Sequence, residues 1–127
     1  MAIYCGNDII KISRIKDSIE RIGENFIKRV YTEEEIRYCE SRRMCKFQSY
    51  AVRFAAKEAV YKALAPTEGL SSWLDVEVRR LENGKPKAHL KGALAEYAKS
   101  HGISDENIEI SLSHDEDYAI ATAIIEY

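Results

Sequence analysis

The 127-residue chain has little that would hold it together other than a hydrophobic core. Its three cysteines are an odd number with no C-x-x-C spacing, which argues against a disulfide framework and a zinc site. No apolar run approaches the roughly 18 residues that span a bilayer, and the N-terminus does not resemble a signal peptide. A chain of this length buries enough surface to fold without staples. We therefore expect a single cytoplasmic domain over residues 1–127, with reduced thiols and no membrane contact.

An excess of charge of one sign is also missing, because the formal net charge is -2 and the pI is near 6.0. The charges are unevenly spread: residues 11–53 carry eleven Lys or Arg against seven Asp or Glu, and residues 104–127 carry seven acids and no Lys or Arg. The basic half fits an anionic partner or a solvated helix surface. Nucleic-acid-binding domains usually have a pI above about 9, so we expect no nucleic-acid partner. The alternative function, nucleic-acid binding, would use Arg14, Arg21, Arg42, Arg43 and Lys46.

Alternating apolar residues predict antiparallel strands. Residues 2–12 are rich in isoleucine, but the Gly6-Asn7-Asp8 sequence predicts a break in this strand, as a bulge or a tight bend. Residues 74–79 and 86–90 flank Asn83-Gly84 and predict a hairpin closed by a type I′ turn. Residues 107–113 and 118–125 predict a second hairpin, which carries Ser113 and His114 to one end of the sheet.

Helical spacing predicts the remaining elements. One helical stretch ends near Gly23, and a capping box that begins at Thr32 predicts a helix to about Cys45. Apolar residues over 50–65 recur with full helical periodicity until Pro66 ends the helix. A last helix covers residues 91–101. On the long central helix, we expect Glu58, Lys62 and the adjacent Lys57 to lie off the buried stripe.

Common nucleotide, hydrolase and zinc-protease motifs are absent, so the chemistry depends on isolated charged residues. Asp8 from the first strand and Glu58 from the central helix would together suit Mg²⁺, which takes few protein oxygens and binds substrate phosphates. Lys57 and Lys62, one residue before and four residues after Glu58, would neutralise phosphate charge. The alternatives are ordinary: Glu58 and Lys62 form a surface pair, Asp8 bonds its own turn, and His114 is a structural residue.

Several segments carry a recognisable order of motifs. They are G-x-D-[IV] at 6–9, Arg14-Ile15, R-F-A-x-K-E-A-x-x-K-A at 53–63, N-G-K-P at 83–86, and S-x-[ST]-H at 111–114 followed by Y-A-x-A at 118–121. In this order they resemble the holo-[acyl-carrier-protein] synthase family of 4′-phosphopantetheinyl transferases. The central match is the most specific, and the resemblance spans nearly the whole chain.

The resemblance implies a fold, a reaction and partners. The fold would be the α+β fold of phosphopantetheinyl transferases, an antiparallel sheet packed against helices in a single domain. The reaction would move the phosphopantetheine arm of coenzyme A to a serine of acyl carrier protein for fatty acid biosynthesis, releasing adenosine 3′,5′-bisphosphate. Mg²⁺ would be the cofactor, and homotrimers would share each coenzyme A site between neighbouring subunits.

The resemblance also implies residue roles. Asp8 and Glu58 would bind the metal, and Lys62 would act with them on the diphosphate. The carrier serine would lose its proton to Glu58 or to a water on the metal, and the sequence does not choose between them. Arg14 and Arg21 would meet the acidic carrier protein. Arg53, His114 and Lys46 would bind the 3′-phosphate of coenzyme A. Further contacts with coenzyme A would come from Lys57, Ala65 and Ser113.

One departure from the family pattern affects the phosphate loop. The family usually continues with A-x-G-T-G after the central helix, whereas this chain has Ala65-Pro66 within residues 63–69. Alanine and proline offer a more restricted backbone and fewer free amides than glycine. The alternative function is therefore a non-catalytic module that binds coenzyme A or the carrier protein.

Overall fold

The computed structural model describes residues 1–67 and 72–127. Within these residues no helix combines the length and apolar composition needed to cross a bilayer. Three short 3₁₀ helices, at Arg43–Cys45, Trp73–Asp75 and Asp105–Asn107, join the main elements. In chain order, the main elements are β1 (Ile3–Lys11), α1 (Ile12–Ile22), α2 (Glu24–Val30), α3 (Glu33–Ser41), α4 (Lys46–Leu64), β2 (Val76–Arg80), β3 (Pro86–Leu90), α5 (Gly92–Ser100), β4 (Ile108–His114) and β5 (Tyr118–Glu126).

Two antiparallel sheets pack around the central helix. The larger sheet has the strand order β1-β5-β4, and β2 pairs with β3 in a hairpin. Helix α4 packs on one face of the larger sheet, with a buried core of alanine, valine, leucine and isoleucine between them. A second cluster of buried apolar residues joins α4 to α1, α2 and α3. The predicted α+β class, with antiparallel strands packed against helices, is confirmed.

The first strand is continuous, so the predicted break at residues 6–8 is wrong. Strand β1 pairs with β5 in one unbroken register from Ile3 opposite Glu126 to Lys11 opposite Tyr118. Glycine is needed at position 6 for a different reason, because a Cβ there would lie 2.0 Å from the carbonyl oxygen of Ala59 on α4. The glycine therefore allows a strand and a helix to approach closely, which brings their neighbouring side chains together.

Helix α4 carries the predicted apolar stripe, and every residue of that stripe is buried. The prediction that Lys57 lies off the buried surface is wrong. Its side chain is 1% exposed, because α3 and β2 cover the flank of α4 on which it lies. Arg53 is also buried, with 5% of its surface exposed. The long helix thus buries two positive charges as well as its apolar stripe.

The capping box at Thr32 forms as predicted. The Thr32 hydroxyl accepts from the backbone of Glu35, and the Glu35 carboxylate accepts from the backbone of Thr32. The helix nevertheless ends at Ser41 rather than near Cys45, because Arg43 adopts a left-handed backbone with φ of 54°. Helix α2 was not predicted from the sequence.

The β2–β3 hairpin forms as predicted, but its turn is different. The backbone of Gly84 donates to Leu81 and that of Leu81 to Lys85, so three residues close the hairpin. A type I′ turn needs positive φ at both central residues, whereas in residues 81–85 only Gly84 has it, at 85°. The Asn83-Gly84 pair therefore forms a turn with a glycine bulge.

Candidate functional site

The close packing of β1 on α4 brings together three charged residues from distant parts of the sequence. Asp8 lies two residues beyond Gly6 on β1, and its carboxylate accepts from Lys62 Nζ over 3.1 Å. The same ammonium donates to the backbone carbonyl of Asn7 over 3.0 Å. Glu58 lies one turn before Lys62 on the same face of α4. The side of α4 that faces Asp8 therefore carries the Glu58 carboxylate and the Lys62 ammonium.

Glu58 also contacts the 3₁₀ helix that precedes β2. The indole Nε1 of Trp73 donates to Glu58 Oε1 over 3.0 Å. Beside this bond lies a mainly apolar cavity of about 420 Å³, whose lining includes Glu58, Tyr61, Trp73 and Val76. The cavity gives the acidic group a neighbouring space large enough for part of an organic substrate.

Lys57 faces the protein interior instead of a ligand. Its ammonium donates to Glu35 over 2.7 Å and to the backbone carbonyls of Trp73 and Val76. Burial lowers the pKa of Lys57, and the Glu35 carboxylate opposes that shift. A lysine ammonium has three donors, and all three have protein acceptors here. Lys57 therefore has no donor left for a phosphate.

Arg53 lies with His114 in a second, basic pocket. Its guanidinium stacks on the Tyr38 ring, with 4.3 Å from Cζ to the ring centroid. Arg42 and Arg80 also pack against that ring, and all five residues line one cavity of about 260 Å³. In the part of the chain that the structure describes, the arginines in ion pairs are Arg37 and Arg79. The pocket therefore holds uncompensated positive charge, which favours an anion.

The two groups of residues lie on opposite sides of α4. Arg53 and Lys62 are nine positions apart on this helix, which is half a turn more than two full turns. The structure thus does not bring the expected metal ligands and the expected 3′-phosphate ligands to one place within one chain.

Two other expected coenzyme A contacts lie elsewhere. Lys46 pairs with Glu40 over 3.5 Å rather than joining the lining of the Arg53 pocket. Ser113 is exposed and, as the residue before His114 on β4, points to the opposite face of the sheet.

The loop after α4 begins with strain that the sequence only suggested. Ala65 has φ of 45° and ψ of 54°, a left-handed conformation that glycine adopts at lower cost, and its backbone N–H donates to Tyr61. Alanine thus adopts a left-handed conformation at the position where the family pattern has glycine. The part of this loop at residues 68–71 lies outside the described residues.

Arg14 and Arg21 lie on one exposed side of α1. They are seven residues apart, or close to two helical turns, and the buried residues Ile12 and Ile15 face the other way. Both guanidinium groups are accessible to an acidic partner.

Sequence reasoning missed the residues that complete the two pockets. Trp73 gave no signal, because its bond to Glu58 depends on the path of the chain after the central helix. For Arg80 the sequence offered only a weak signal, because it belongs to a pair of arginines that precedes a turn. The ring of Tyr38, on which the arginines gather, had none.

Comparisons with known proteins identify the family of the chain. The model of the 4′-phosphopantetheinyl transferase superfamily matches residues 4–123. The chain belongs to that superfamily. Among curated proteins, this transferase is 44% identical to the holo-[acyl-carrier-protein] synthase of Ruminiclostridium cellulolyticum, over 98% of this chain and 92% of the relative. It is also 44% identical to the synthase of Solibacter usitatus, over 99% of each chain.

Solved structures of related transferases show the same fold. The holo-[acyl-carrier-protein] synthase of Neisseria meningitidis superposes with a TM-score of 0.85 at 30% identity, over 98% of each chain. The Helicobacter pylori synthase, crystallised in complex with coenzyme A, superposes with a TM-score of 0.81 at 30% identity, over 96% of this chain and 99% of that one. The fold and the family predicted from the sequence are therefore confirmed.

Proposed function

We propose that this protein is a holo-[acyl-carrier-protein] synthase, which transfers the 4′-phosphopantetheine arm of coenzyme A to a serine of apo acyl carrier protein in support of fatty acid biosynthesis. The observation that carries the proposal is the ion pair of Asp8 with Lys62 at the β1–α4 contact, one helical turn from Glu58, in a chain that matches synthases along its full length. In the reaction the serine Oγ–P bond forms, and the P–O bond to adenosine 3′,5′-bisphosphate breaks as the serine proton leaves.

The donor set fits a divalent cation such as Mg²⁺. Within the described residues, Lys62 bonds one oxygen of Asp8 and Trp73 bonds one oxygen of Glu58, while the other oxygen of each accepts no protein hydrogen bond. Two carboxylate oxygens suit a hard cation that completes its shell with water and phosphate. When bound, such a cation neutralises the diphosphate and stabilises the charge that develops as the bond breaks.

Lys62 supports the same step from the protein side. Two of its three ammonium donors bond Asp8 and Asn7, so the third is available to a phosphate oxygen. Because the two bonds fix the ammonium in place, it is already oriented toward charge that builds on the leaving phosphate. Preorganised donors of this kind stabilise transition states by a few kcal/mol.

The position of Arg53 supports a site built from two copies of the chain. Because Arg53 and Lys62 lie on opposite sides of α4, one coenzyme A reaches both kinds of group only if a second copy supplies one of them. The outward face of the larger sheet suits such contact, since Ile9, Ile120 and Ile124 are 60%, 39% and 45% exposed there. We propose a homotrimer in which the basic pocket of one subunit binds the 3′-phosphate beside the carboxylates of its neighbour.

The carrier protein would dock on α1. Arg14 and Arg21 present two positive charges on one exposed side of that helix, which complement the acidic surface expected of the partner. Docking driven by these charges weakens as salt screens them.

A direct assay tests the transfer. The protein is incubated with coenzyme A, Mg²⁺ and apo acyl carrier protein, and mass spectrometry measures the gain of one arm on the carrier serine. Asp8→Ala and Glu58→Ala should each abolish the gain, whereas Glu106→Ala, an exposed acid on the turn before β4, should retain it. Binding of coenzyme A without a mass gain on any apo carrier protein would refute the proposal and identify a non-catalytic binding module.

A further inference from the structure

Trp73 is the only tryptophan of the chain, and it touches the candidate site directly. Its indole Nε1 lies 3.0 Å from Glu58 Oε1. An indole N–H is a donor and never an acceptor, so it holds a carboxylate oxygen in one defined direction. The bond therefore fixes Oε1 of Glu58 and leaves Oε2 as the oxygen without a protein donor among the described residues.

Trp73 is itself held by two contacts. The buried ammonium of Lys57 donates to its backbone carbonyl over 3.0 Å, and Glu35 fixes that ammonium over 2.7 Å. On the other side, the indole ring packs against Phe54, with ring centroids 5.8 Å apart. Phe54 lies one turn before Glu58 on α4, so the same helix positions the ring and the carboxylate. The bond from Lys57 holds the backbone of Trp73, and the contact with Phe54 limits the rotation of its indole ring.

We propose that Trp73 is a positioning residue for Glu58, which presents Oε2 of that carboxylate to a divalent cation by holding Oε1. The inference rests on the proposed function, in which Glu58 is a cation ligand. Hydrogen-bond partners that orient metal-binding carboxylates typically change affinity or activity by about 10- to 100-fold when removed. The Glu35–Lys57 pair then acts on the site indirectly, because it holds the backbone that carries the indole.

The single tryptophan makes the hydrogen bond observable without any activity measurement. In a ¹⁵N-labelled sample the chain gives one indole N–H cross-peak by nuclear magnetic resonance. Glu58→Gln should shift this peak in the absence of any cation, because the acceptor loses its charge. Mg²⁺ titrated into the unsubstituted protein should also shift it. Glu106→Gln, at an exposed site in another element, should leave the peak in place.

A second variant measures the effect of the bond on the cation. Trp73→Phe keeps a smaller aromatic ring beside Phe54 and removes the indole N–H together with the rest of the five-membered ring. The dissociation constant for Mn²⁺, followed by electron paramagnetic resonance, should rise about tenfold. The Mg²⁺ concentration for half-maximal transfer should rise by a similar factor, while kcat at saturating Mg²⁺ falls less than about twofold.

Two results would overturn the inference and leave the proposed function standing. One is an indole cross-peak that Glu58→Gln does not move, and the other is unchanged Mn²⁺ affinity in Trp73→Phe, each together with normal transfer by the unsubstituted protein. If the unsubstituted protein binds no Mn²⁺ and transfers no arm, the proposed function fails and the inference with it.

Discussion

Gly6→Ala tests the strand–helix contact on which the candidate site depends. The new Cβ would lie 2.0 Å from the carbonyl oxygen of Ala59 and 2.7 Å from the backbone nitrogen of Ala63, whereas an ordinary contact begins at 3.4 Å. Because both obstacles are backbone atoms of α4, no side chain can rotate away. Strand β1 must move away from α4 by about 1.4 Å at the closest contact.

The expected loss follows from this displacement. Overpacking a well-filled core costs about 1–3 kcal/mol and sometimes more, and a rigid obstacle favours the upper end. We expect Gly6→Ala to lower the free energy of unfolding by about 3 kcal/mol. With an m-value of about 1–3 kcal/mol/M, this shifts the urea midpoint by roughly 1–3 M. The same movement carries Asp8 away from Lys62, so transfer should fall as well.

Urea denaturation at one fixed protein concentration measures the effect. Gly102→Ala is the matched control, since φ is 77° there and nothing lies within 4 Å of the new Cβ. That variant should lose only about 1–2 kcal/mol from backbone strain. In a strand with free space around the new Cβ, replacing glycine by alanine would raise the free energy of unfolding by about 0.5–1 kcal/mol. An unchanged or raised midpoint for Gly6→Ala would refute the argument that close packing requires this glycine.

The remaining predictions concern three buried or strained groups. Lys57→Met leaves the carboxylate of Glu35 buried without its cation, so denaturation should show a loss of about 3–5 kcal/mol. Burial raises the pKa of Cys39 to about 12, so this thiol should resist iodoacetamide at pH 8 while the two exposed cysteines react. The folded chain then keeps a proton that the unfolded chain releases above pH 9, so the Cys39 contribution to stability should decline as pH rises from 9 toward 12. Ala65→Gly relieves a left-handed alanine and should raise the thermal midpoint, through a gain of up to about 1 kcal/mol.

Local sequence signals predicted the elements whose structure depends on nearby residues. The capping box at Thr32 formed because both of its partners lie within four residues. The apolar stripe of α4 gave a correct helix because its spacing repeats over four turns. The two hairpins were found for the same reason, since alternation and a turn are local features.

The errors occurred where contacts distant in sequence decide the structure. Gly6 has the local appearance of a turn, but its environment is set by α4, more than fifty residues away. The burial of Lys57 depends on Glu35, 22 positions before it. The bond between Trp73 and Glu58 joins two elements whose relative position no local pattern encodes. Motif order led us to expect Asp8, Glu58 and Lys62 in one site, but it did not indicate which face of α4 Arg53 occupies.

The opposite placement of Arg53 and Lys62 on α4 has a genetic consequence. If each chain supplies half of two different sites, two individually inactive chains restore each other when they assemble together. Co-expression of Arg53→Ala with Lys62→Ala in equal amounts would then yield about a quarter of the normal number of intact sites, because random assembly pairs the two undamaged halves with that frequency. Chains that each hold a complete site would remain inactive in any mixture.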